Sequence, residues 1–209
     1  IYDHRYLHCE VLIVGGGISG IIAAKTAAKN NLNTVLIDDK NILGGTTLFQ
    51  KNECFKINNS YSNEWLKKEI ETLKSLKNLT IKTRTSLAAY HSYNYLLARE
   101  NLTDHLDINE KKDKIRQRLW KIRAKKVIIS TGAMERPLIF NNNDRPGIML
   151  SSSIKKYIDY YGVKCGQRIS LFTNNDSAYE AAISLNNSGV IVNSVIDIRD
   201  KTNSLIVRQ

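Results

Sequence analysis

The sequence has few of the residues from which metal sites, disulfide frameworks and dithiol redox centres are built. Its 209 residues include three cysteines and four histidines. They are widely separated: Cys9, Cys54 and Cys165; His4, His8, His91 and His105. No Cys-x-x-Cys occurs, so we expect no metal site, no disulfide framework and no redox-active cysteine pair. This usage favours a reducing compartment, the cytoplasm.

Long apolar runs are also missing. No stretch approaches the roughly 20 apolar residues that a membrane-spanning helix needs, and no charged segment followed by an apolar core opens the chain. The sequence therefore predicts no membrane partner. The chain begins at Ile1 and stops soon after a second strand-helix-strand unit begins, and we interpret it as a fragment of a longer protein.

The net charge is +11, which raises the question of an anionic partner. The lysines are scattered along a Lys- and Asn-rich sequence, and no RNA-recognition or zinc-finger signature accompanies them. We therefore expect no nucleic-acid partner. A basic face that docks an acidic partner subunit remains possible.

The chain is organised around Val11-Leu-Ile-Val-Gly-Gly-Gly-Ile-Ser-Gly20. An apolar run ends in Gly15-x-Gly17-x-x-Gly20 and opens into an alanine-rich segment, the pattern of a strand, a tight turn and a helix that receives a dinucleotide pyrophosphate. The free N–H groups near Ile18 and Ser19 would face the anion. We predict a strand over 10–15 and a helix from Ile18 to Lys29.

Asp38 ends the next apolar run, Asn33-Thr-Val-Leu-Ile-Asp38. A carboxylate about 20 residues beyond such a glycine turn can accept hydrogen bonds from the adenosine ribose, and it would repel a 2′-phosphate. Asp38 is therefore a candidate ribose ligand, and NADP is disfavoured. Asp39 and Lys40 are candidates to flank the adenine.

Other candidates lie where the chain should return to this site. The loop Gly44-Gly45-Thr46 lets the backbone pass close to a nucleotide, although a plain turn is an alternative. Thr131 and Gly132 end an apolar strand that begins at Lys126. Short alternating runs over 86–123 predict an antiparallel meander, and a strand is expected over 79–84.

A second strand-helix-strand unit follows the turn-rich segment 141–147. Strands are predicted over 167–173 and 190–196, with a helix over 176–185 between them. Its turn is Thr173-Asn-Asn-Asp-Ser-Ala178, in which side chains replace the first two glycines. We expect this unit to be structural, or to bind weakly and differently.

These patterns predict an α/β fold. It comprises a linker over 1–9, a Rossmann-like FAD/NAD(P)-binding domain over 10–150 with a parallel sheet and an antiparallel β-meander, and a partial, degenerate Rossmann-like unit over 151–209. No convincing general base, carboxylate pair or nucleophile elbow occurs, so no catalytic residue is predicted.

Several segments resemble the two-dinucleotide-binding flavoproteins and, more narrowly, the alpha subunit of heterotetrameric sarcosine oxidase. They are RYLHCEVLIVGGG, LIDDKNILGGT, RQRLWKIRAKKVIISTGAMERPLIFNNNDRPGIML and LFTNNDSAYEAA. The last is the most specific, because a glycine-poor turn is uncommon there. The resemblance covers nearly the whole chain.

The resemblance implies that this domain carries NAD, with FAD in this domain as the alternative. It also implies FAD and FMN elsewhere in a complex with beta, gamma and delta subunits. That complex oxidises sarcosine to glycine with tetrahydrofolate and oxygen, and releases hydrogen peroxide and methylenetetrahydrofolate. Thr85 and Ser86 would contact adenine through the backbone, and Thr131 and Gly132 would close over the adenosine.

Other functions remain open from the sequence. A related amino-acid or opine dehydrogenase complex is one, although its relatives should keep glycines at 173–178. A free-standing FAD-dependent reductase is another, but it needs an intact second glycine turn and usually a cysteine pair. A nucleic-acid or interaction module is suggested only by the net charge.

Overall fold

The computed structural model describes residues 2–49 and 56–200. They form two compact units, the first ending at Gly132 and the second beginning at Ala133. In chain order the first unit contains β1 (Tyr2–Val14), α1 (Ile18–Lys29), β2 (Thr34–Ile37), β3 (Lys56–Ile57), β4 (Ser60–Tyr61), α2 (Ser62–Ser75), β5 (Leu79–Lys82), β6 (Thr85–His91), β7 (Tyr95–Asn101) and β8 (Gln117–Ile129). β3 and β4 form a separate small hairpin.

The main sheet of the first unit has the order β5-β2-β1-β8-β7-β6. β5, β2, β1 and β8 are parallel, and β8, β7 and β6 are antiparallel. Since consecutive side chains on a strand point to opposite faces, the central strands β1 and β2 contribute to two cores. Leu12 and Val35 pack with Trp120 and Ile122 of the meander. Alternating residues, such as Ile13, pack against α1 and α2.

Burial on both faces explains why the central parallel strands are continuously apolar. The four residues of β2 are all buried. Helix α1 lies close to the sheet through small residues, and Ala24 and Ala28 are almost wholly buried. The predicted bounds of this helix, Ile18 to Lys29, are confirmed.

The linker predicted over residues 1–9 is wrong. Tyr2–Cys9 continue β1 and pair in parallel with Gln117–Ala124 of β8. The sequence also predicts two elements where β8 runs without interruption from Gln117 to Ile129. Both errors have one cause, because each half-strand is stabilised by a partner 115 residues away in sequence. No local periodicity encodes such a pairing.

The side-chain alternation of β1 breaks at Glu10. The N–H groups of Glu10 and Val11 both donate to the Asn33 carbonyl, at 2.8 and 3.2 Å. Cys9 faces the meander core, whereas Val11, two residues further on, faces the helices. The Gly-rich turn follows directly at the carboxyl end of β1.

The second unit contains α3 (Ser151–Asp159), β9 (Arg168–Thr173), α4 (Ser177–Asn187) and β10 (Ile191–Asp197). β9 and β10 form a parallel pair, and α3 and α4 supply a core around Ile154 and Leu185. The α/β fold with a Rossmann-like first unit and a meander is confirmed. The domain boundary at residue 150 remains a prediction. Within the described ranges, no helix is both long and apolar enough to cross a bilayer.

Candidate dinucleotide site at the first glycine turn

The glycine turn is so tight that two of its glycines admit no side chain. A Cβ atom on Gly20 would lie 1.8 Å from the Gly15 carbonyl oxygen. Gly15 has a φ of +105°, and its Cβ would lie 2.3 Å from the Ser130 carbonyl oxygen. The first and third glycines of the fingerprint are therefore required by contacts between backbone segments.

Gly17 differs, because a Cβ there would meet no atom within 4 Å. Its φ of −75° is one that any residue can adopt. Gly17 is the N-cap of α1, no side chain caps this helix and no acidic residue lies in its first turn. The helix N-terminus, where the N–H groups and the positive end of the dipole favour an anion, thus has no side-chain cap and has open space at the Gly17 Cβ position.

Gly16, the extra glycine within the fingerprint, has its own structural reason. Its N–H donates to Asp38 Oδ2 at 2.5 Å. A Cβ at this position would lie 2.4 Å from Leu43 Cδ2 and 2.9 Å from the same carboxylate oxygen. Gly16 therefore allows Asp38 and Leu43 to pack against the turn, a requirement that the sequence pattern did not reveal.

Asp38 lies directly after β2 and is 9% exposed. Besides the bond from Gly16, its Oδ1 accepts the Lys40 N–H at 2.8 Å. Two backbone donors thus fix the carboxylate orientation. A carboxylate has about four acceptor positions, so two remain for ribose hydroxyls. The predicted ribose ligand is consequently held in place beside the turn and keeps unused acceptor capacity.

The Gly44-Gly45-Thr46 loop packs directly on the turn. Gly44 donates its N–H to the Gly16 carbonyl at 2.8 Å. Gly45 has a φ of +55°, and a Cβ there would lie 3.0 Å from Gly17 Cα. Thr46 is exposed. The structure therefore brings this predicted loop to the edge of the cradle.

Thr131 and Gly132 follow β8 and are both exposed. Thr131 is close enough to the turn that its Cα would lie 3.1 Å from a Cβ on Gly15. Ser130, which was not among the predicted site residues, connects the two segments: its hydroxyl donates to the carbonyls of Val14 and Gly15, both at 3.0 Å. The sequence indicated this position, because Ser130 stands between an apolar strand and the predicted Thr131-Gly132 pair.

Four further candidates have different environments. Asp39 and Lys40 lie at the surface and form an ion pair of 2.6 Å. Thr85 is 1% exposed; its N–H donates to the Asp38 carbonyl at 2.8 Å and its hydroxyl donates to the Thr83 carbonyl. Neither donor of Thr85 is therefore available to adenine. Ser86 pairs with Arg99 within β6 and β7.

Among residues 2–49 and 56–200, Cys9 is the cysteine nearest in sequence to the glycine turn. Cys9 is buried in the meander core, and burial raises the pKa of its thiol to about 11. The thiolate is the nucleophilic form, and the raised pKa keeps the Cys9 thiol protonated at neutral pH. Residues 2–49 and 56–200 contain no group of three His, Cys, Asp or Glu side chains that could hold a metal ion.

The corresponding turn of the second unit is filled by its own side chains. The Asn175 amide oxygen accepts the N–H and the hydroxyl of Ser177, at 3.0 and 2.6 Å, where α4 begins. Thr173 exchanges hydrogen bonds with the Asn175 backbone. Polar side chains thus stand where the first unit presents glycine backbone.

The acidic residue after the second strand is also engaged. Arg199 contacts Asp197 in a bidentate pair, with Nη2–Oδ2 at 2.7 Å, and its Nη2 lies 2.8 Å from Asp176 of the turn. The Tyr179 hydroxyl donates to Asp197 at 3.1 Å. The Arg199 guanidinium holds the pKa of Asp197 well below its usual range. An arginine thus spans from the turn to the acid.

Comparison with known proteins now identifies the family. The sequence model described as FAD dependent oxidoreductase matches residues 10–124, more than half of the chain. The chain belongs to the FAD dependent oxidoreductase family. The matched range includes the glycine turn, Asp38 and the meander, so the family assignment rests on the segment that builds the cradle.

The chain is also similar to sarcosine oxidase alpha subunits. It is 38% identical over 198 residues to that of Corynebacterium sp. (strain U-96), and 32% identical over 199 residues to that of Rhizobium meliloti (strain 1021). In each case the match covers 95% of this chain and 20% of the relative. The resemblance inferred from the motifs is confirmed, and the chain spans about one fifth of the length of these relatives.

Among solved structures, the L-proline dehydrogenase from P. horikoshii has the same fold. The TM-score is 0.70 at 24% sequence identity, covering 96% of this chain and 38% of the other. At this level of identity the likeness shows the fold alone.

Proposed function

We propose that the first unit holds NAD and that the chain is the cofactor-holding part of a sarcosine-oxidase-type alpha subunit. The observation that carries this proposal is the open space in front of Gly17 at the uncapped N-terminus of α1. A pyrophosphate can approach the backbone there, and Gly15, Gly17, Ile18, Ser19 and Gly20 would hold it.

Asp38 would make the second contact with the dinucleotide, at the adenosine ribose, and would select NAD over NADP. Its two remaining acceptor positions suit the adenosine ribose hydroxyls. The carboxylate would repel a 2′-phosphate, which favours NAD over NADP. The exposed Asp39, Lys40, Thr46, Thr131 and Gly132 would border the adenosine. A bound NAD supplies hydride-accepting chemistry, whereas the chain's own residues bind and orient it.

The proposal places the chemistry of the whole protein outside this chain. The relatives are named sarcosine oxidase, and the corresponding reaction would be the oxidative demethylation of sarcosine to glycine with tetrahydrofolate and oxygen. FAD and FMN would act elsewhere in an assembly with beta, gamma and delta subunits. In this proposal the residues of the chain bind and orient the cofactor and carry no chemical step of their own.

FAD in the same cradle is the second candidate, and the family match favours it. Both dinucleotides contain an ADP half, so the glycine turn and Asp38 would serve either one. The two candidates differ in what extends beyond the pyrophosphate.

Cofactor extraction separates these candidates. The full-length protein is purified with its partner chains, the polypeptides are separated under mild conditions, and the nucleotide released from the chain that contains the glycine turn is analysed by chromatography and absorbance. We expect NAD in about one-to-one ratio with this polypeptide. Stoichiometric FAD from the same polypeptide would exclude NAD in favour of the second candidate.

A further inference from the structure

The antiparallel part of the first unit presents one face to its core and the opposite face to solvent. On β8, Trp120 and Ile122 are buried in the core, whereas Arg123 on the other face is exposed. The register aligns Tyr6 with Lys121 and His8 with Arg123. We call the solvent side the meander face and define it by Tyr6, His8, Tyr95, Arg99, Lys121 and Arg123.

The meander face combines cations with aromatic rings. Lys121 Nζ lies 5.2 Å from the centre of the Tyr6 ring, and the Arg123 guanidinium lies 5.0 Å from that of Tyr95. The Tyr6 side chain remains 67% exposed. Tyrosine and arginine are enriched at protein interfaces, where they supply much of the binding energy.

The acidic residues of the same strands lie elsewhere. Asp3 forms a bidentate ion pair with Arg118, and Glu100 accepts a hydrogen bond from Trp120 Nε1 at 2.6 Å. Both carboxylates belong to the opposite face. Glu10, at the end of the meander face, is paired with Lys125 at 3.0 Å and accepts the Asn33 N–H. Among the described side chains, those at the centre of the face therefore carry positive charge and no carboxylate.

An open strand edge borders this face. β8 pairs with Tyr2–Cys9 on one side, but β2 pairs only with Val11–Val14 on the other. Within the described ranges, no strand pairs with the second edge of Tyr2–Cys9. Such an edge offers backbone groups to an added polypeptide strand. A nucleic acid could use the cations and the rings but not this backbone ladder, so the geometry favours a protein.

We infer that the meander face docks an acidic surface of a different polypeptide in the assembly. The inference rests on the proposed function in one respect, namely that the chain works as a subunit. Carboxylates of the partner would pair with Arg99, Lys121 and Arg123, and the Tyr6 and Tyr95 rings would be covered.

Zero-length cross-linking tests the contact in the full-length protein purified with its partner chains. A carbodiimide joins a lysine amine to a carboxylate only where the two touch. We expect peptides in which Lys121 is joined to an Asp or Glu of a different polypeptide. Cross-links from Lys121 only to this chain or to a second copy of it, or no cross-link at all, would overturn the inference.

Charge reversal gives an independent readout. The double variant Lys121→Glu/Arg123→Glu should raise the dissociation constant of the assembly about tenfold or more, with a weaker salt dependence. Lys67→Glu/Lys68→Glu, on exposed positions of α2, makes the same charge change and should leave assembly unaltered. Circular dichroism and nucleotide extraction on both variants establish that the fold and the cradle persist.

Equal assembly of the two variants would overturn the inference. So would a result in which the reversal at 121 and 123 abolishes binding of a single-stranded RNA probe while assembly is unchanged. If the unaltered protein yields no NAD on extraction but forms the Lys121 cross-link, the proposed cofactor role is contradicted and the inferred docking contact is still supported.

Discussion

The two strand-turn-helix-strand units of this chain treat the same structural position in opposite ways. In the first, glycine backbone surrounds an uncapped helix terminus, and the acid after the second strand is held by backbone N–H groups. In the second, Asn175 binds the first residue of the helix, and Arg199 binds the acid. The difference indicates that side chains of the protein can occupy the position at which this type of turn would otherwise bind an anion.

The polar groups at the turn of the second unit pair with one another, unlike those at the turn of the first. Asn175 and Asp176 lie where a phosphate would need bare backbone, and the Arg199 guanidinium meets both Asp176 and Asp197. Each group therefore has a partner within the chain. In the first unit the space before Gly17 has none. Of the two turns described, the first therefore has room for a ligand to bind the backbone.

The largest effect that we predict concerns the tight side of the open turn. Gly20→Ala places a methyl group against the Gly15 carbonyl, and we expect it to destabilise the protein by about 3 kcal/mol and to abolish dinucleotide binding. Thermal unfolding and calorimetry measure both. Gly166→Ala is the matched control, because its Cβ meets atoms only at 3.8 and 3.9 Å. Equal stability of the two variants would contradict the tight contact.

Gly17→Ala separates binding from folding. Its Cβ meets no atom and its φ suits any residue, so the melting temperature without ligand should be unchanged. The methyl group occupies the space that the phosphates need, and the dissociation constant for NAD should rise roughly 10- to 100-fold. A variant that binds NAD as tightly as the original protein would remove Gly17 from the site.

Asn175→Ala tests whether the second turn is closed by side chains alone. Loss of the two hydrogen bonds from Ser177 should cost about 1 kcal/mol, the usual net value of a hydrogen bond, as measured by denaturant unfolding. No dinucleotide site should appear, because Arg199 still joins Asp176 to Asp197. Gain of a second NAD site in this variant would show that one side chain was all that blocked it.

The smallest predicted effect is a pH dependence in the second unit. Because the folded pKa of Asp197 is depressed, its pairing with Arg199 stabilises the fold fully above the ordinary aspartate pKa of about 4 and is lost as pH falls through the folded value. The melting-temperature difference between the original protein and Asp197→Asn should be constant from about pH 5 to 8 and shrink below about 4. A difference that grows on acidification would contradict the pairing.

Much of the open unit follows from sequence because its signals are local. Gly15, Gly20 and Asp38 occur at spacings fixed by one strand, one turn and one helix, and the structure brings them together. Parallel strands end at the same edge of a sheet, and Thr131, which follows β8, lies beside the turn; the binding roles of Thr131 and Gly132 stay predictions. The adenine role of Thr85 could not be judged locally, because the carbonyl that accepts its N–H belongs to Asp38, which is distant in sequence and follows β2.

The parts that sequence did not predict depend on distant partners. Tyr2–Cys9 have few apolar residues and include three consecutive exposed ones, and their pairing with β8 makes them a strand. Gly16 is explained by Leu43 and Asp38 rather than by the fingerprint. In the second unit, the missing glycines were visible, whereas the closure by Arg199 required the ends of the turn and of β10 to be seen together.

The most direct test of the account compares the two acids under one titration. NAD is titrated calorimetrically into cofactor-depleted full-length protein, into Asp38→Asn and into Asp197→Asn. We expect a single site whose affinity falls roughly 10- to 100-fold in Asp38→Asn, because a charged acceptor of ribose hydroxyls is lost, and is unchanged in Asp197→Asn. Unchanged affinity in Asp38→Asn together with weakened binding in Asp197→Asn would contradict the assignment of the dinucleotide to the first unit.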